Sequence, residues 1–319
     1  MKNICNSNEY LGEGLIFVGG APRSGTTLVQ RIFNAHPDIY GGPEFDMLPA
    51  LIHQRNVMLE KVKCGRIDAF VNEEQVDEVF REMIRALLVP KRNREGATWI
   101  SEKTPSNALV FLELLALFPK AKYVLCLRDP RSIVASMKEV LLKQKSRGEN
   151  RSHFVRSVVA SVDYINKCWS AGERAVAMAE SSTIVYYEDL IDSPELSLRR
   201  VFDQLEIPFS SKVLDLEGSS YESPILNAKS DTAFYSQEQL RSGIRAGSVD
   251  KWKSSLGKCD VRYVEQSVRS SSPEVCQRYG FSKERAFLPH HWLNMKHSIA
   301  DIGLLLNRLK LRLTNDQKK

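Results

Sequence analysis

A glycine-rich segment at residues 20–27 (GAPRSGTT) carries one cationic and three hydroxyl side chains. It follows an apolar run at residues 15–18 and overlaps the start of a helix predicted over residues 24–34. Backbone N–H groups at such a turn point toward a common centre, and the helix dipole favours an anion there. The pattern predicts a phosphate-binding turn; the alternative is a glycine-rich turn without a ligand. The candidate ligands are Arg23, Ser24, Gly25, Thr26 and Thr27.

The turn departs from the P-loop of nucleoside triphosphatases at one position. The pattern G-x-x-x-x-G-K-[ST] is matched at Gly20, Gly25 and Thr27, but Thr26 stands where the lysine belongs. Kinases and NTPases need that lysine on the β- and γ-phosphates. The substitution therefore argues against a P-loop kinase or NTPase. That class stays as an alternative function, as does a module that binds nucleotide without turnover.

A second cationic position, Arg128, follows the apolar run at residues 123–127. Its guanidinium group is planar and permanently charged, which suits it to phosphate. Ser132 and Ser136 lie four residues apart in the helix predicted over residues 132–142, so that both hydroxyls can share one face. The arrangement predicts a second phosphate site; the alternative is a local ion pair between Arg128 and Asp129.

The elements that must position these residues alternate along the chain. Apolar strand candidates occupy residues 15–18, 98–100, 123–127 and 183–187, and predicted helices occupy residues 24–34, 106–118, 132–142 and 194–205. This alternation predicts an α/β fold, with a parallel sheet covered by helices on both faces. Ligands bind beyond the carboxyl ends of such strands, where the sequence places Arg23, Arg128 and Tyr187.

Outside these strands and helices, the sequence predicts a helical insertion, a basic loop, an irregular stretch and a C-terminal extension. A helical insertion is predicted at about residues 45–95, with helices over 47–62 and 76–88, and residues 143–151 are predicted to form a basic loop. Residues 210–250 are predicted to be irregular. We expect a single domain over residues 1–319, with its core at about 15–255 and a C-terminal helical extension at about 283–319. An apolar stripe in that extension can either pack against the same or another subunit or rest on a membrane surface. Its members are Ile299, Ile302, Leu306, Leu309 and Leu313.

The composition narrows the class of ligand. The chain has 319 residues, a net charge of +6, 43% hydrophobic and 26% charged residues. So mild an excess of positive charge fits an anionic ligand better than nucleic acid.

Six scattered cysteines without a CxxC motif argue against structural zinc and favour free thiols, with a Cys259–Cys276 pair left open. Because no membrane span or secretory signal is recognisable, we expect a cytoplasmic protein.

Together, the P-R-S-G-T-T turn and the Arg128 motif resemble the sulfotransferases that use 3′-phosphoadenosine 5′-phosphosulfate (PAPS). In that family an arginine at a strand end is followed eight residues later by a serine, as Arg128 is by Ser136. The motif layout is most similar to the tyrosylprotein sulfotransferase-like branch and covers about residues 15–255. The resemblance implies a P-loop-type fold and in-line transfer of a sulfuryl group from PAPS to a hydroxyl, without a metal, leaving 3′,5′-bisphosphate (PAP).

The resemblance also implies roles for individual residues. The turn would hold the 5′-phosphosulfate, and Arg128 and Ser136 the 3′-phosphate. Glu44, which follows the His-Pro-Asp element at residues 36–38, falls where the family has its general base, although Pro43 replaces a frequent first glutamate. Lys103 would assist the leaving-group oxygen, and Arg23 would add positive charge. The predicted nucleotide contacts further along the chain are Tyr187, Arg245 and Gly247.

Each of these roles has an alternative. Glu44 could instead cap a helix N-terminus, and His36 and His53 are rival bases. Lys103 could be a solvated loop residue, and Tyr187 a buried residue at a strand end. Asn107 is a candidate for holding the acceptor.

The acceptor itself is open among a peptide tyrosine, a polysaccharide hydroxyl and a metabolite hydroxyl. Basic residues after the helix that carries Ser136 lead us to expect an anionic acceptor, such as an acidic peptide or a polysaccharide. These residues are Lys143, Lys145, Arg147 and Arg151. Two further interactions are left open: association of two copies into a homodimer, and membrane contact through the C-terminal helix.

Overall fold

Five parallel strands form a single sheet in the part of the chain that the computed structural model describes, residues 7–216, 232–234, 243–244 and 249–280. The strands are β1 (Leu15–Gly20), β2 (Ile39–Gly41), β3 (Trp99–Lys103), β4 (Lys122–Leu127) and β5 (Ser182–Tyr186). Their order is β2-β3-β1-β4-β5, and every adjacent pair is parallel. Because β1 lies at the centre, the turn that follows it opens between the ends of β3 and β4. This is the place where open α/β sheets bind ligands.

Helices connect the strands. The α-helices are α1 (Ser7–Tyr10), α2 (Thr26–Asn34), α3 (Leu48–Lys63), α4 (Glu73–Arg94), α5 (Phe111–Leu117), α6 (Pro130–Ser146), α7 (Val158–Met178), α8 (Tyr187–Asp192), α9 (Pro194–Gln204), α10 (Trp252–Ser255), α11 (Lys258–Ser267) and α12 (Pro273–Tyr279). Short 3₁₀ helices span Pro105–Val110, His153–Val155 and Ser211–Leu214. The described residues all belong to one compact unit, Met1–Phe281.

Both faces of the sheet are covered, because β1 is apolar at every position from Leu15 to Val18. Its alternate side chains point to opposite faces. Ile16 and Val18 share a core cluster with Val29 of α2 and Phe202 of α9. On the other face, the rings of Phe17 and Tyr123 lie 5.7 Å apart, and α7 packs against β1 and β4. The predicted α/β fold with helices on both faces is confirmed.

Two local predictions need correction, and one short strand was not predicted. The sequence pattern does not predict the short strand β2, because only two of its three residues are large and one is glycine. The helix predicted over residues 106–118 is a 3₁₀ helix followed by α5, and Val110 between them has φ −121° and ψ 14°. Residues 143–146 are not a loop, since α6 continues to Ser146. The helix is followed by Gly148, whose φ of +67° is the left-handed conformation that commonly follows a helix end.

Other predictions fall outside the described residues or concern single features. The C-terminal extension at about residues 283–319 and its apolar stripe lie outside them. Cys259 and Cys276, for which the sequence leaves pairing open, are free thiols. Among the described helices, none combines the length and the apolar character that a bilayer crossing requires. The single domain over residues 1–319 stays a prediction.

Candidate active site

The turn after β1 is tightly built around Gly25, the residue that precedes α2. Gly25 has a φ of +95°, a conformation that L-residues with a side chain rarely adopt. A Cβ atom at this position would lie 2.6 Å from Cδ2 of Tyr187. Glycine is therefore required both by the backbone and by the close approach of the Tyr187 ring, which brings the start of α8 against the turn.

The predicted nucleotide-binding side chains converge beside this turn. The Arg23 Nε donates to Ser136 Oγ of α6 at 2.9 Å. An Arg128 guanidinium nitrogen donates to the Arg23 carbonyl oxygen at 3.0 Å, and the guanidinium lies 4.2 Å from the centre of the Tyr187 ring. Arg23 itself has a φ of +76°, which is uncommon for a residue with a side chain and turns its carbonyl group toward Arg128. Residues from the β1 turn, the segment after β4, α6 and α8 thus form one cationic centre around Arg23 and Arg128.

The alternative of an Arg128–Asp129 ion pair does not describe this site. Asp129 caps α6 by accepting from the backbone N–H of Arg131 at 2.8 Å. Its carboxylate forms its ion pair with the Arg131 guanidinium, at 2.7 Å. Arg128 faces the turn instead, because its partners there are Arg23 and the ring of Tyr187.

Later segments of the chain close against the ends of β4 and β5. Glu188 accepts from the Asp129 backbone N–H at 2.8 Å and from the Tyr279 hydroxyl at 2.9 Å. Arg131 lies 4.2 Å from the ring of Trp252, and Ser132 Oγ donates to the Val249 carbonyl oxygen at 2.7 Å. Ser132 is therefore engaged in holding residue 249. The predicted contacts Arg245 and Gly247 lie outside the described residues.

The two other predicted catalytic residues, Lys103 and Glu44, are in direct contact. Lys103 ends β3, which pairs with β1 in the register Val18↔Lys103. Its side chain is 1% exposed, and its Nζ contacts Thr27 Oγ1 at 3.3 Å and forms an ion pair with Glu44 Oε1. The Glu44 side chain is 29% exposed and reaches the surface. Lys103 is therefore a buried residue, and it places a cation at the turn in which Thr26 replaces the P-loop lysine.

Two buried polar residues that the sequence analysis did not single out hold the loop that carries Glu44. Gln30 of α2 donates to the Gly42 carbonyl oxygen at 2.9 Å and to the Ser101 carbonyl oxygen at 2.8 Å. Glu102 of β3 accepts from the backbone N–H of Phe45 at 3.2 Å. The sequence did carry a signal for Gln30, because a polar glutamine stands between Val29 and Ile32 on an otherwise apolar helix face. Glu102 had no comparable signal beyond its place next to Lys103.

Two acidic groups around this loop have a raised pKa. Burial raises the pKa of Glu102 above its ordinary value, and hydrogen bonds that the carboxylate accepts offset part of this increase. Partial burial also raises the pKa of Asp46, to which the negative charge of Glu44 adds, while Lys103 lowers it. Negative charge is thus costly in this part of the site, and Lys103 is a cation that compensates it.

The two histidines considered as alternative bases, His36 and His53, have other environments in the structure. His36 is buried, and its Nδ1 accepts from the Asp38 backbone N–H at 3.2 Å. Its Nε2 then carries the hydrogen and donates to the Pro208 carbonyl oxygen at 2.8 Å, so that both ring nitrogens are engaged. His53 is exposed on α3. Asn107 is fully buried and donates from its amide to Glu102 and to the Val18 carbonyl oxygen. Asn107 thus binds the carboxylate of Glu102, which in turn holds the Glu44 loop.

An aromatic cluster lies beside the cationic centre. Tyr164 of α7 has its ring centre 5.0 Å from that of Phe154 and 5.2 Å from that of His153. Phe154 in turn lies 6.3 Å from Phe234, whose carbonyl oxygen accepts from Arg23. Burial raises the pKa of Tyr164, as do the nearby Cys168 and Asp46. The cluster, defined as His153, Phe154, Tyr164 and Phe234, therefore adjoins Arg23 through Phe234 and is within electrostatic reach of Asp46 in the Glu44 loop.

The fold and the site define an α/β protein with a P-loop-like turn, two arginines beside it, and an ion pair between the buried Lys103 and Glu44 at the neighbouring strand end. A sequence model described as the sulfotransferase family matches residues 16–211, which is more than half of the chain. The chain belongs to the sulfotransferase family, and the predictions of the family and of a sulfotransferase enzyme are confirmed. PAPS is the donor that this membership implies.

Relatives with assigned names agree with this family. Protein-tyrosine sulfotransferase A of Caenorhabditis elegans is 32% identical over 206 residues, which cover 63% of this chain and 52% of that protein. Protein-tyrosine sulfotransferase 1 of Danio rerio is 28% identical over 207 residues, which cover 64% and 56%. The matches thus span about half the length of these two relatives. The motif layout predicted from the sequence is that of the same branch.

A solved structure supports the fold independently. The sulfotransferase domain from the curacin biosynthetic pathway superposes with a TM-score of 0.55 at 20% identity. The superposition covers 84% of this chain and 98% of that domain. At this level of identity the similarity concerns the arrangement of the sheet and helices.

Proposed function

We propose that the protein transfers the sulfuryl group of PAPS to the phenolic hydroxyl of a tyrosine in a protein, with Glu44 as the general base. One observation carries the proposal: the buried Lys103 contacts the phosphate-binding turn at Thr27 and Glu44 at the same time. A single cation thereby links the place where a phosphosulfate would be held with the group that would take a proton.

The residues at the turn fit the donor. Ser24 is 1% exposed, and its Oγ has no hydrogen-bond partner within the described part of the chain, which suits it to a ligand oxygen. The Arg128 guanidinium donates to the carbonyl oxygen of Arg23, the residue before Ser24, and the Tyr187 ring offers an apolar face next to Gly25. PAPS, when bound, supplies a sulfuryl group whose bond to the 5′-phosphate oxygen breaks as a bond to the acceptor oxygen forms.

The protein contributes positioning, charge and a base. Arg23, Arg128 and Ser136 would hold the phosphates in one orientation, which removes the entropy cost of alignment from the reaction step. Lys103 and Arg23 place fixed positive charge where negative charge develops on oxygen, in a site with little exposure to water. Glu44 would accept the hydroxyl proton, and Lys103 would stay beside it as the compensating cation.

The tyrosine acceptor is supported by two observations. The named relatives are protein-tyrosine sulfotransferases, and the aromatic cluster adjoins Arg23 through the Phe234 carbonyl oxygen. Partly exposed rings favour a planar acceptor through offset or edge-on contacts. Dimerisation, membrane contact and a cytoplasmic location stay predictions from the sequence.

The test uses PAPS labelled in its sulfate and a pair of peptides that differ only by tyrosine or serine at the acceptor position. We expect label in the tyrosine peptide, release of PAP, and little transfer to serine, with turnover unchanged by EDTA. Equal labelling of both peptides would contradict the phenolic acceptor. Transfer of phosphate from ATP with Mg²⁺, and none from PAPS, would establish the kinase alternative instead.

A further inference from the structure

We infer that Glu102 is a positioning residue that fixes the loop of Glu44 and thereby orients the base. The inference rests on the proposed function of Glu44. Glu102 is 3% exposed and lies next to Lys103 in β3. Its carboxylate binds Phe45, Thr104 and Asn107, which belong to the Glu44 loop and to the segment after β3.

The carboxylate of Glu102 anchors the backbone on the C-terminal side of Glu44 at two points. The N–H of Phe45 donates directly to Glu102 Oε1 at 3.2 Å. The N–H of Asp46 donates to Thr104 Oγ1 at 3.1 Å, and the Thr104 hydroxyl donates to the same Glu102 oxygen at 2.7 Å. The N–H groups of both residues that follow Glu44 are therefore held by one side chain, directly or through Thr104.

This anchor supports a backbone conformation that would not form readily by itself. Asp46 has a φ of +56°, in the left-handed region that costs a residue with a side chain free energy. The turn is needed because the chain passes from the Glu44 loop into α3, which begins at Leu48. The hydrogen bonds of Phe45 and Asp46 hold this turn, and with it the direction of the Glu44 side chain.

A carboxylate suits this position better than an amide. The three polar partners of Glu102 each donate a hydrogen, from the Phe45 N–H, the Thr104 hydroxyl and the Asn107 amide. A glutamine would have to turn its own N–H₂ group toward one of these donors. The strand end thus holds the base from two sides, since Lys103 binds the carboxylate of Glu44 and Glu102 binds the main chain beyond it.

A double-mutant cycle separates this role from a general structural one. The four proteins are the wild type, E44Q, E102Q and the double variant, each measured for kcat with PAPS and a tyrosine peptide and for PAP affinity by calorimetry. We expect E102Q to lower kcat at least tenfold while PAP affinity changes less than threefold. In the E44Q background, E102Q should change kcat less than twofold, because the base it orients is already absent.

Equal losses of kcat from E102Q in both backgrounds would overturn the inference, as would wild-type kcat in E102Q. An E44Q variant that keeps its turnover would overturn the proposed base and this inference with it, so the two failures are distinguishable. If E102Q does not fold, T104V removes the link to Asp46 and T104S retains it. We then expect a lower kcat in T104V and recovery in T104S, and wild-type kcat in T104V would contradict the inference.

Discussion

At the scale of single residues, the lysine that reaches the turn comes from a neighbouring strand. The turn has Thr26 where a P-loop has lysine, and Lys103 of β3 reaches Thr27 from the side. Lys103 was predictable from the sequence, because its short motif resembles one in the family. Glu102 was not, since it acts through the backbone N–H of Phe45, which lies 57 residues earlier in the chain. Contacts of that kind leave no local pattern of residue types.

Arg128 provides the most direct test of donor binding at this scale. A charge-assisted hydrogen bond contributes about 1.5–3 kcal/mol, and about 1.4 kcal/mol corresponds to a factor of ten in affinity. Arg128→Ala should therefore weaken PAP binding tenfold or more in calorimetry. Arg199→Ala, which removes an exposed arginine of α9, is the matched control and should leave the affinity unchanged. Equal PAP affinity in the Arg128 variant and the wild type would rule out its assignment to the 3′-phosphate.

At the scale of elements, the order of strands and helices was predictable, but their ends were less so. Apolar runs indicated β1 and β4, because strands buried on both faces have few polar positions, and a β-branched run at residues 183–185 indicated β5. The three-residue β2 is too short for such a pattern, and α6 runs past the predicted end because charged residues are compatible with a last helical turn. The ends nevertheless matter for the site, since Gly25, Lys103 and Tyr187 all lie at them.

The junction of β1 and α2 is tested by substituting Gly25. Both Gly25 and Gly96 have positive φ values, +95° and +66°. A Cβ added at Gly25 would meet the Tyr187 ring, whereas one added at Gly96 would have no described atom within 4 Å. Left-handed backbone costs alanine about 1–2 kcal/mol, so both variants should lose that much stability in urea unfolding. Gly25→Ala should lose more, and it should also weaken PAP binding at least tenfold.

Gly96→Ala is the control for backbone strain alone, and its PAP affinity should match that of the wild type. Equal losses of stability in both variants, with PAP affinity intact in each, would show that the contact between Gly25 and Tyr187 does not shape the turn.

At the scale of the whole molecule, the basic end of α6 lies beside the aromatic cluster. The buried Gln144 donates to Ser152 Oγ at 3.3 Å and accepts from the Ser152 N–H at 3.2 Å. This ties the helix end to the segment that leads into His153 and Phe154. Lys143 and Lys145, on either side of Gln144, are exposed. Part of the positive charge of a chain with a net charge of +6 is thus concentrated near the proposed acceptor surface.

This arrangement predicts that an acidic tyrosine peptide binds with a marked salt dependence. Because exposed charges are screened within about 10 Å at about 0.1 M salt, the KM for the peptide should rise with ionic strength. Charge reversal at Lys143 and Lys145 together should raise KM at low salt and flatten the response. Lys212→Glu, which changes an exposed lysine in the 3₁₀ helix that packs on α2, is the control. An unchanged salt response after the double reversal would contradict steering by this helix end.

The central claim is that Glu44 takes the acceptor proton during transfer from PAPS. Glu44→Gln retains the shape of the side chain and removes the base, and a positioned base contributes about 10²–10⁴-fold to the rate. Glu195→Gln, which changes an exposed glutamate of α9, is the matched control.

The decisive measurement is kcat for sulfuryl transfer from labelled PAPS to a tyrosine peptide, with PAP affinity measured on the same preparations. For Glu44→Gln we predict a kcat at least a hundredfold below that of the wild type and of Glu195→Gln, with PAP affinity within threefold, since the carboxylate serves the acceptor and not the donor. A Glu44→Gln protein that retains most of its turnover would contradict the account.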